Sequence, residues 1–222
     1  QDKFAAWSQA KAAAARENGR LGKEIVSVEI PQRKKDSICF SQDEFIRPGS
    51  TAEVLAKLRP AFKKEGGSVT AGNSSGLNDG AAALLLASED GCKTHGLIPK
   101  ARILSSAVVG VEPRLMGVGP VEATRKALKR AGLTLDDIDI LEINEAFSAQ
   151  ILSCSRALGL EDNDARINPN GGAIALGHPL GMTGARMLNT AAIELHEQNK
   201  KYALVTMCVG VGQGYAAIIE KV

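Results

Sequence analysis

The 222-residue sequence has no surplus of either charge: 27 Lys and Arg stand against 25 Asp and Glu, a formal net charge of +2. Without a sequence-wide basic field, neither nucleic acid nor an anionic membrane is an expected partner. The densest cationic run, Arg33-Lys34-Lys35, lies beside an expected turn and reads as a solvated face. Cysteine is scarce as well. The four, at positions 39, 92, 154 and 208, show neither C-x-x-C spacing nor the density of a secreted disulfide scaffold. Reduced thiols in the cytoplasm and no bound metal are therefore expected. No apolar run reaches membrane-spanning length. There is no basic-then-apolar leader, and the chain opens Gln1-Asp2-Lys3 without an initiator methionine, which suggests that more chain precedes it.

What is present is ordinary α/β text, 44% hydrophobic and 23% charged, enough for a sizeable core in one or two domains. Phe4, Trp7, Ala10 (or the stem of Lys11) and Ala14 recur at helical spacing before Asn18-Gly19, so residues 1 to 18 read as an amphipathic helix with its stop signal. "EIVSVEI" alternates like a strand. Residues 34 to 67 are charged and turn-rich, a small excursion of short elements. "DGAAALLLAS" (79 to 88) is a short apolar run bounded by turn residues, expected as a buried strand. A helix near Glu89 to His95 and a strand "ARILSSAVVGV" follow. Val121, Thr124, Leu128 and Ala131 share one helical face between Pro120 and Gly132. "DIDILEI" reads as a strand, then Phe147, Ile151, Cys154 and Leu158 as a helix face, which makes Cys154 a core residue. Leu188, Ala191, Ala192 and Leu195 mark a third helix before the strands "ALVTMCV" and "GYAAIIEKV". The echo between "NDGAAALLLAS" and "GQGYAAIIEKV" suggests two related units, the first seen only at its end.

The candidate chemistry sits where strands give way to loops. His178 lies between Gly177 and Pro179 at a loop-to-helix junction, where packing gives little reason for a histidine. The positive end of the following helix favours a neutral ring. His95 and His196 lack that setting and read as surface residues. "EINEAF" delivers Asn144, Glu145 and Phe147 beyond one strand end, and "TMCVGVGQG" delivers Cys208 beyond another, so these groups are expected to share a site. Gly210, Gly212 and Gly214 lack Cβ atoms and can bring backbone N–H groups near a developing oxyanion. A dinucleotide loop is disfavoured, because G-x-G-x-G has the wrong spacing and leads into a strand.

"NEAF", "GGAIALGHPLG" and "CVGVGQG", in this order and with "VTAGNSSGLNDGAAA" upstream, resemble the C-terminal half of the thiolase family, acyltransferases that make or cleave 3-oxoacyl-CoA. The resemblance covers essentially the whole chain. It implies a layered α-β-α fold with a mixed sheet, the second half complete and the first truncated. Residues 1–70 would be a loop-domain remnant over the coenzyme A site, 71–98 the end of the N-terminal half, and 99–222 the C-terminal domain. It also implies a reversible Claisen condensation and thiolysis. His178 would activate a nucleophilic cysteine supplied by the missing N-terminal half and, with a water held by Asn144, stabilise the enolate oxygen. Cys208 would be the acid/base of the α-proton step, reachable from the cleft and partly ionisable near neutral pH. Gly210 would serve a second oxyanion hole. Glu145 would be either a network partner or a helix N-terminal carboxylate. Coenzyme A and acyl-CoA would bind as substrates, with no covalent cofactor. Arg47 would lie near the 3′-phosphate, Leu58, Phe62 and Phe147 along the adenine and pantetheine path, and Ala71 and Ser75 would hydrogen-bond it. A homo-oligomer is expected of the complete enzyme.

Two other readings stay open on the sequence. A ketoacyl synthase resembles a thiolase in fold, but generally places a second histidine where Cys208 stands. A non-catalytic piece that binds coenzyme A or a partner half also fits, because the chain lacks the acyl-carrying cysteine. The acyl group reads equally as acetoacetyl or 3-oxoadipyl.

Overall fold

The computed structural model describes residues 1–222. The chain opens with helix α1 (Asp2–Glu17), followed by an antiparallel hairpin of β1 (Val28–Ile30) and β2 (Ile38–Phe40), and the short helix α2 (Ala52–Leu55). After an irregular stretch come α3 (Glu89–His95), β3 (Ala101–Gly110), α4 (Gly119–Ala131), β4 (Ile140–Ile143), α5 (Ser148–Ala157), α6 (Ala173–Leu176), α7 (Leu180–Glu197), β5 (Tyr202–Val209) and β6 (Gln213–Lys221).

The last four strands form one mixed sheet in the order β3-β6-β5-β4, with β4 parallel to β5 and the other pairs antiparallel. Period-two alternation divides its residues between two cores. Leu141, Ile143, Leu204, Ala216 and Ile218 pack under α4 and α5. Ile140, Ala203, Val205 and Ile219 pack against Met187, Ala191 and Leu195 of α7. The result is an α-β-α sandwich, as expected. Each fully buried aliphatic side chain contributes about 1.5–3 kcal/mol of transfer free energy, so this sheet is the main stabilising element. Local signals mark the helix ends. Pro120 sits in the first turn of α4, and Gly132 ends it at φ 68°. The Ser88 side chain accepts from the Gly91 amide at the start of α3, and Gly96 closes that helix at φ 62°. No helix is long and apolar enough to cross a membrane.

Three expectations need correction. Residues 79 to 88 form no strand and are exposed, with Leu85 at 79% and Leu86 at 73%; no neighbouring strand offers them a ladder. "EIVSVEI" is strand only over its last three residues, all exposed. In α1 the buried face is Phe4, Ala5, Ser8, Gln9, Ala12, Ala13 and Ala15, while Ala10 and Ala14 face solvent. The stripe is rotated because it contains two polar residues with buried partners, which an apolar pattern does not register.

Candidate active site

β4 ends at Ile143, and the next amide, Asn144 N, still donates to Thr206 O of β5 at 2.9 Å. Two residues beyond Thr206 lies Cys208. Asn144 and Cys208 therefore emerge at the carboxyl ends of adjacent parallel strands, where ligand sites gather in open α/β sheets. His178 arrives from the loop between α6 and α7. Its main-chain N–H donates to Asn78 Oδ1 at 3.2 Å. Gly177 stands at φ 96°, and a Cβ there would come within 2.6 Å of the Asn78 side chain. Only glycine allows that approach.

Both ring nitrogens of His178 are held. Nδ1 lies 2.7 Å from Thr183 Oγ1, and the Thr183 hydroxyl donates to Pro179 O at 3.1 Å. A hydroxyl has one proton, so Nδ1–H must be the donor to Thr183. Nε2 then carries the lone pair and accepts from Asn144 Nδ2–H at 3.2 Å. Burial lowers the ring's pKa below its ordinary value, and the Arg186 charge lowers it further. Both effects favour the neutral ring, and they are desolvation and a guanidinium rather than the helix end. Asn144 Oδ1 is buried with no hydrogen-bond partner, a polar atom held in reserve.

Glu145 is fully buried and takes the network role rather than capping the helix that follows it. Its Oε2 accepts from Ser8 Oγ at 2.7 Å and Ile174 N at 3.1 Å, and its Oε1 from Asn168 Nδ2 at 2.7 Å. Asn168 also exchanges two bonds with the Ile143 backbone, like an extra rung on β4. A Cβ on Gly172 would fall 2.3 Å from the Glu145 carboxyl carbon. One carboxylate thus joins α1, the end of β4 and the loop leading to His178.

Cys208 is 6% exposed, and burial raises its thiol pKa. In this chain both the burial and the raised pKa run against a reachable, partly ionised thiol. It lies on the sheet face covered by α4 and α5, near Cys154. Cys154 is a core residue as expected, its thiol pushed up to about 11 by burial, with Cys208 adding to the effect. Neither Cys208 nor Gly210 hydrogen-bonds to His178 or Asn144. Of the three loop glycines, only Gly210 has open space around it. A Cβ on Gly212 would meet Val111 O at 2.3 Å, and one on Gly214 would meet Gly119 O at 2.1 Å. Those two glycines serve backbone packing, and only Gly210 remains available to a ligand.

The remaining expected residues fall into two groups. The Phe62 and Phe147 rings meet edge-on at 5.9 Å and line an open groove of ≈ 500 Å³ with Val69, Leu115, Val118 and Gln150. Phe147 caps α5 rather than belonging to it. Ser75 N donates to Ala146 O at 3.0 Å, beside Phe147. The Leu58 side chain packs against Gly72, next to the exposed Ala71. Arg47 stands apart: it is exposed, its amide donates to Gln9 Oε1 at 2.7 Å, and its guanidinium lies over Phe45. His95 and His196 are exposed. Sequence reasoning missed Thr183 and Asn78. A threonine in the first turn after His178 was a usable signal; Asn78, 100 positions away, gave none.

Residues 1–90 match the family model for the thiolase N-terminal domain, and residues 97–221 that for the thiolase C-terminal domain. Over 222 residues the sequence is 56% identical to a beta-ketoadipyl-CoA thiolase of Acinetobacter baylyi, covering all of this chain and 55% of that protein. It is 54% identical to the 3-oxoadipyl-CoA/3-oxo-5,6-dehydrosuberyl-CoA thiolase of Escherichia coli K12, with the same coverage. Among solved structures, the Bacillus anthracis acetyl-CoA acetyltransferase superposes with a TM-score of 0.95 at 46% identity, over all of this chain and 55% of that one. The chain spans about half the length of these relatives.

Proposed function

The chain belongs to the thiolase family, and on that premise we propose that it supplies the proton-transfer and oxyanion half of a thiolase site. The reaction is 3-oxoacyl-CoA plus CoA giving acyl-CoA plus acetyl-CoA, or its reverse. The observation that carries this reading is the doubly bonded, neutral ring of His178, with its Nε2 lone pair free of a proton. Such a ring takes the proton of a nucleophilic thiol contributed by the remainder of the protein, the thiol replacing the Asn144 N–H at Nε2, and can then donate to an oxyanion. A water that donates one hydrogen to the unpartnered Asn144 Oδ1 keeps its other hydrogen for the enolate oxygen. Cys208, protonated at rest, returns a proton to the α-carbon in thiolysis. Its thiolate then accepts the proton of the attacking CoA thiol. The Gly210 N–H is open to the thioester oxygen.

In this reading residues 1–70 cover the coenzyme A path and 71–98 lead into the C-terminal domain at 99–222. The Phe62–Phe147 groove fits pantetheine, and Arg47 meets the 3′-phosphate. The names of the relatives favour a 3-oxoadipyl-type acyl group over acetoacetyl. The four unpaired thiols support a cytoplasmic protein, and the exposed apolar run at 84–86 supports a larger assembly. The test is acyl-enzyme trapping in the full-length protein. Cys208→Ser is expected to accumulate the acyl-enzyme, whereas His178→Ala forms none. Equal trapping by both variants removes the assignment.

A further inference from the structure

One buried carboxyl–guanidinium contact next to the site has no part in the chemistry above. Glu142 lies on β4 two residues before Asn144 and is 1% exposed. Arg186 lies on α7 three residues after Thr183, its side chain 15% exposed. Arg186 Nη1 and Glu142 Oε2 are 3.5 Å apart. Strand residues two apart share a face, and helix residues three apart share a face. Glu142 and Asn144 therefore both look toward α7, and Thr183 and Arg186 both look back toward β4. The same two elements are joined twice, by Thr183–His178–Asn144 at the strand end and by Arg186–Glu142 one step below it.

Beneath this second link the interface is apolar: Ile140, Met187, Ala191 and Val205. A buried polar contact in such a layer, its carboxyl pushed up to about 8 by burial, is weak evidence for stability, since apolar replacements of similar volume are often neutral or better. This pair is also imperfect, because Glu142 Oε1 has no hydrogen-bond partner. Its geometry makes better sense for what lies above it. The two ring bonds of His178 bridge β4 and α7, so their lengths depend on the spacing of those elements, and the guanidinium is a charge that acts on that ring beside its burial.

We propose that Glu142 and Arg186 are positioning residues for His178: their link sets the β4–α7 spacing at which both ring nitrogens are bonded. The proposal rests on the reading of His178 as the reacting ring, but it is measured on the ring itself. Other charges around the pair are Glu24, Glu145 and Lys11 toward Glu142, and Asp43 toward Arg186; all stay in place in the variants below.

The test is ¹⁵N and ¹³C NMR of the histidine rings across pH, with the His178 signals identified by their loss in His178→Gln. The parent protein is expected to show the Nδ1-protonated tautomer. In Arg186→Met, His178 is expected to titrate higher than in the parent and to show mixed tautomers, while Arg186→Lys restores the lower titration. Glu142→Leu, an apolar replacement that the layer can accept, is expected to fold and to mix the tautomers. Parent-like titration and tautomer in folded Arg186→Met overturn the proposal. The same outcome in Glu142→Leu overturns it if Arg186→Met does not fold. Should the ring behave as expected while His178→Ala still forms acyl-enzyme, the catalytic reading fails and the positioning role stands.

Discussion

Residues 80–84 and 214–218 both run Gly-x-Ala-Ala-aliphatic, yet the second is the interior strand β6 and the first is irregular and exposed. β6 has β3 on one side and β5 on the other, and Ile218 is 0% exposed at their centre. Residues 79 to 88 have no strand beside them, and Leu85 and Leu86 stand in solvent. The difference teaches that an apolar run states what a segment would bury, while the strand itself is made by its neighbours.

The comparison breaks hardest at its buried member. Ile218→Asn places an unpaired amide in the core and is expected to lower stability by about 3–5 kcal/mol, read from urea unfolding, whereas Leu85→Asn leaves the midpoint where it was. The sheet side also carries a titration. Burial holds the Glu142 carboxyl at about 8 against an ordinary 4.5, so the folded state keeps a proton that the unfolded chain releases. Its contribution is fully present below about 4.5 and is lost as pH rises toward 8, at up to about 1.4 kcal/mol per pH unit. Urea midpoints taken from pH 5 to 8 are expected to fall, and Glu142→Gln to flatten the decline.

Two glycines sharpen the contrast on a smaller scale. A Cβ on Gly214 collides with the Gly119 backbone, while one on Gly80 meets only the side chains of Pro179 and Met182. Gly214→Ala is expected to cost about 1–3 kcal/mol and Gly80→Ala less than about 1 kcal/mol, compared by thermal melts. The smallest effect expected is that of Leu85→Ser, within about 0.5 kcal/mol in this chain. In a full-length thiolase carrying the same segment, a loss of about 2 kcal/mol or more would show that the rest of the protein completes the strand.

Where a signal is local, the sequence was sufficient. The bounds of α3, the Pro120 and Gly132 ends of α4, the core placement of Cys154 and the loop position of His178 all follow from neighbours within a few residues. Asn144 and His178 were legible as site residues because one follows a strand end and the other sits at a loop-to-helix junction. The signal fails where a residue's partner is distant. Ser8 reads as an interruption of an apolar stripe until Glu145 is seen opposite it. Gly212 and Gly214 look like ligand-binding glycines until Val111 and Gly119 are found against them. The burial of Cys208 was not legible, because a strand-end position does not reveal what packs over it.

The Ser8–Glu145 bond spans 137 positions, and that separation bears on the order of folding. Strands β5 and β6 are joined by a tight turn and can pair early, since closing a short loop loses little entropy. The Glu145 carboxylate cannot be fully satisfied until the first helix has closed a loop of more than half the chain. Made before the strands it depends on, α1 is thus among the last elements to find its place. The loop that presents His178 becomes rigid only then, so a sheet already formed precedes a competent site.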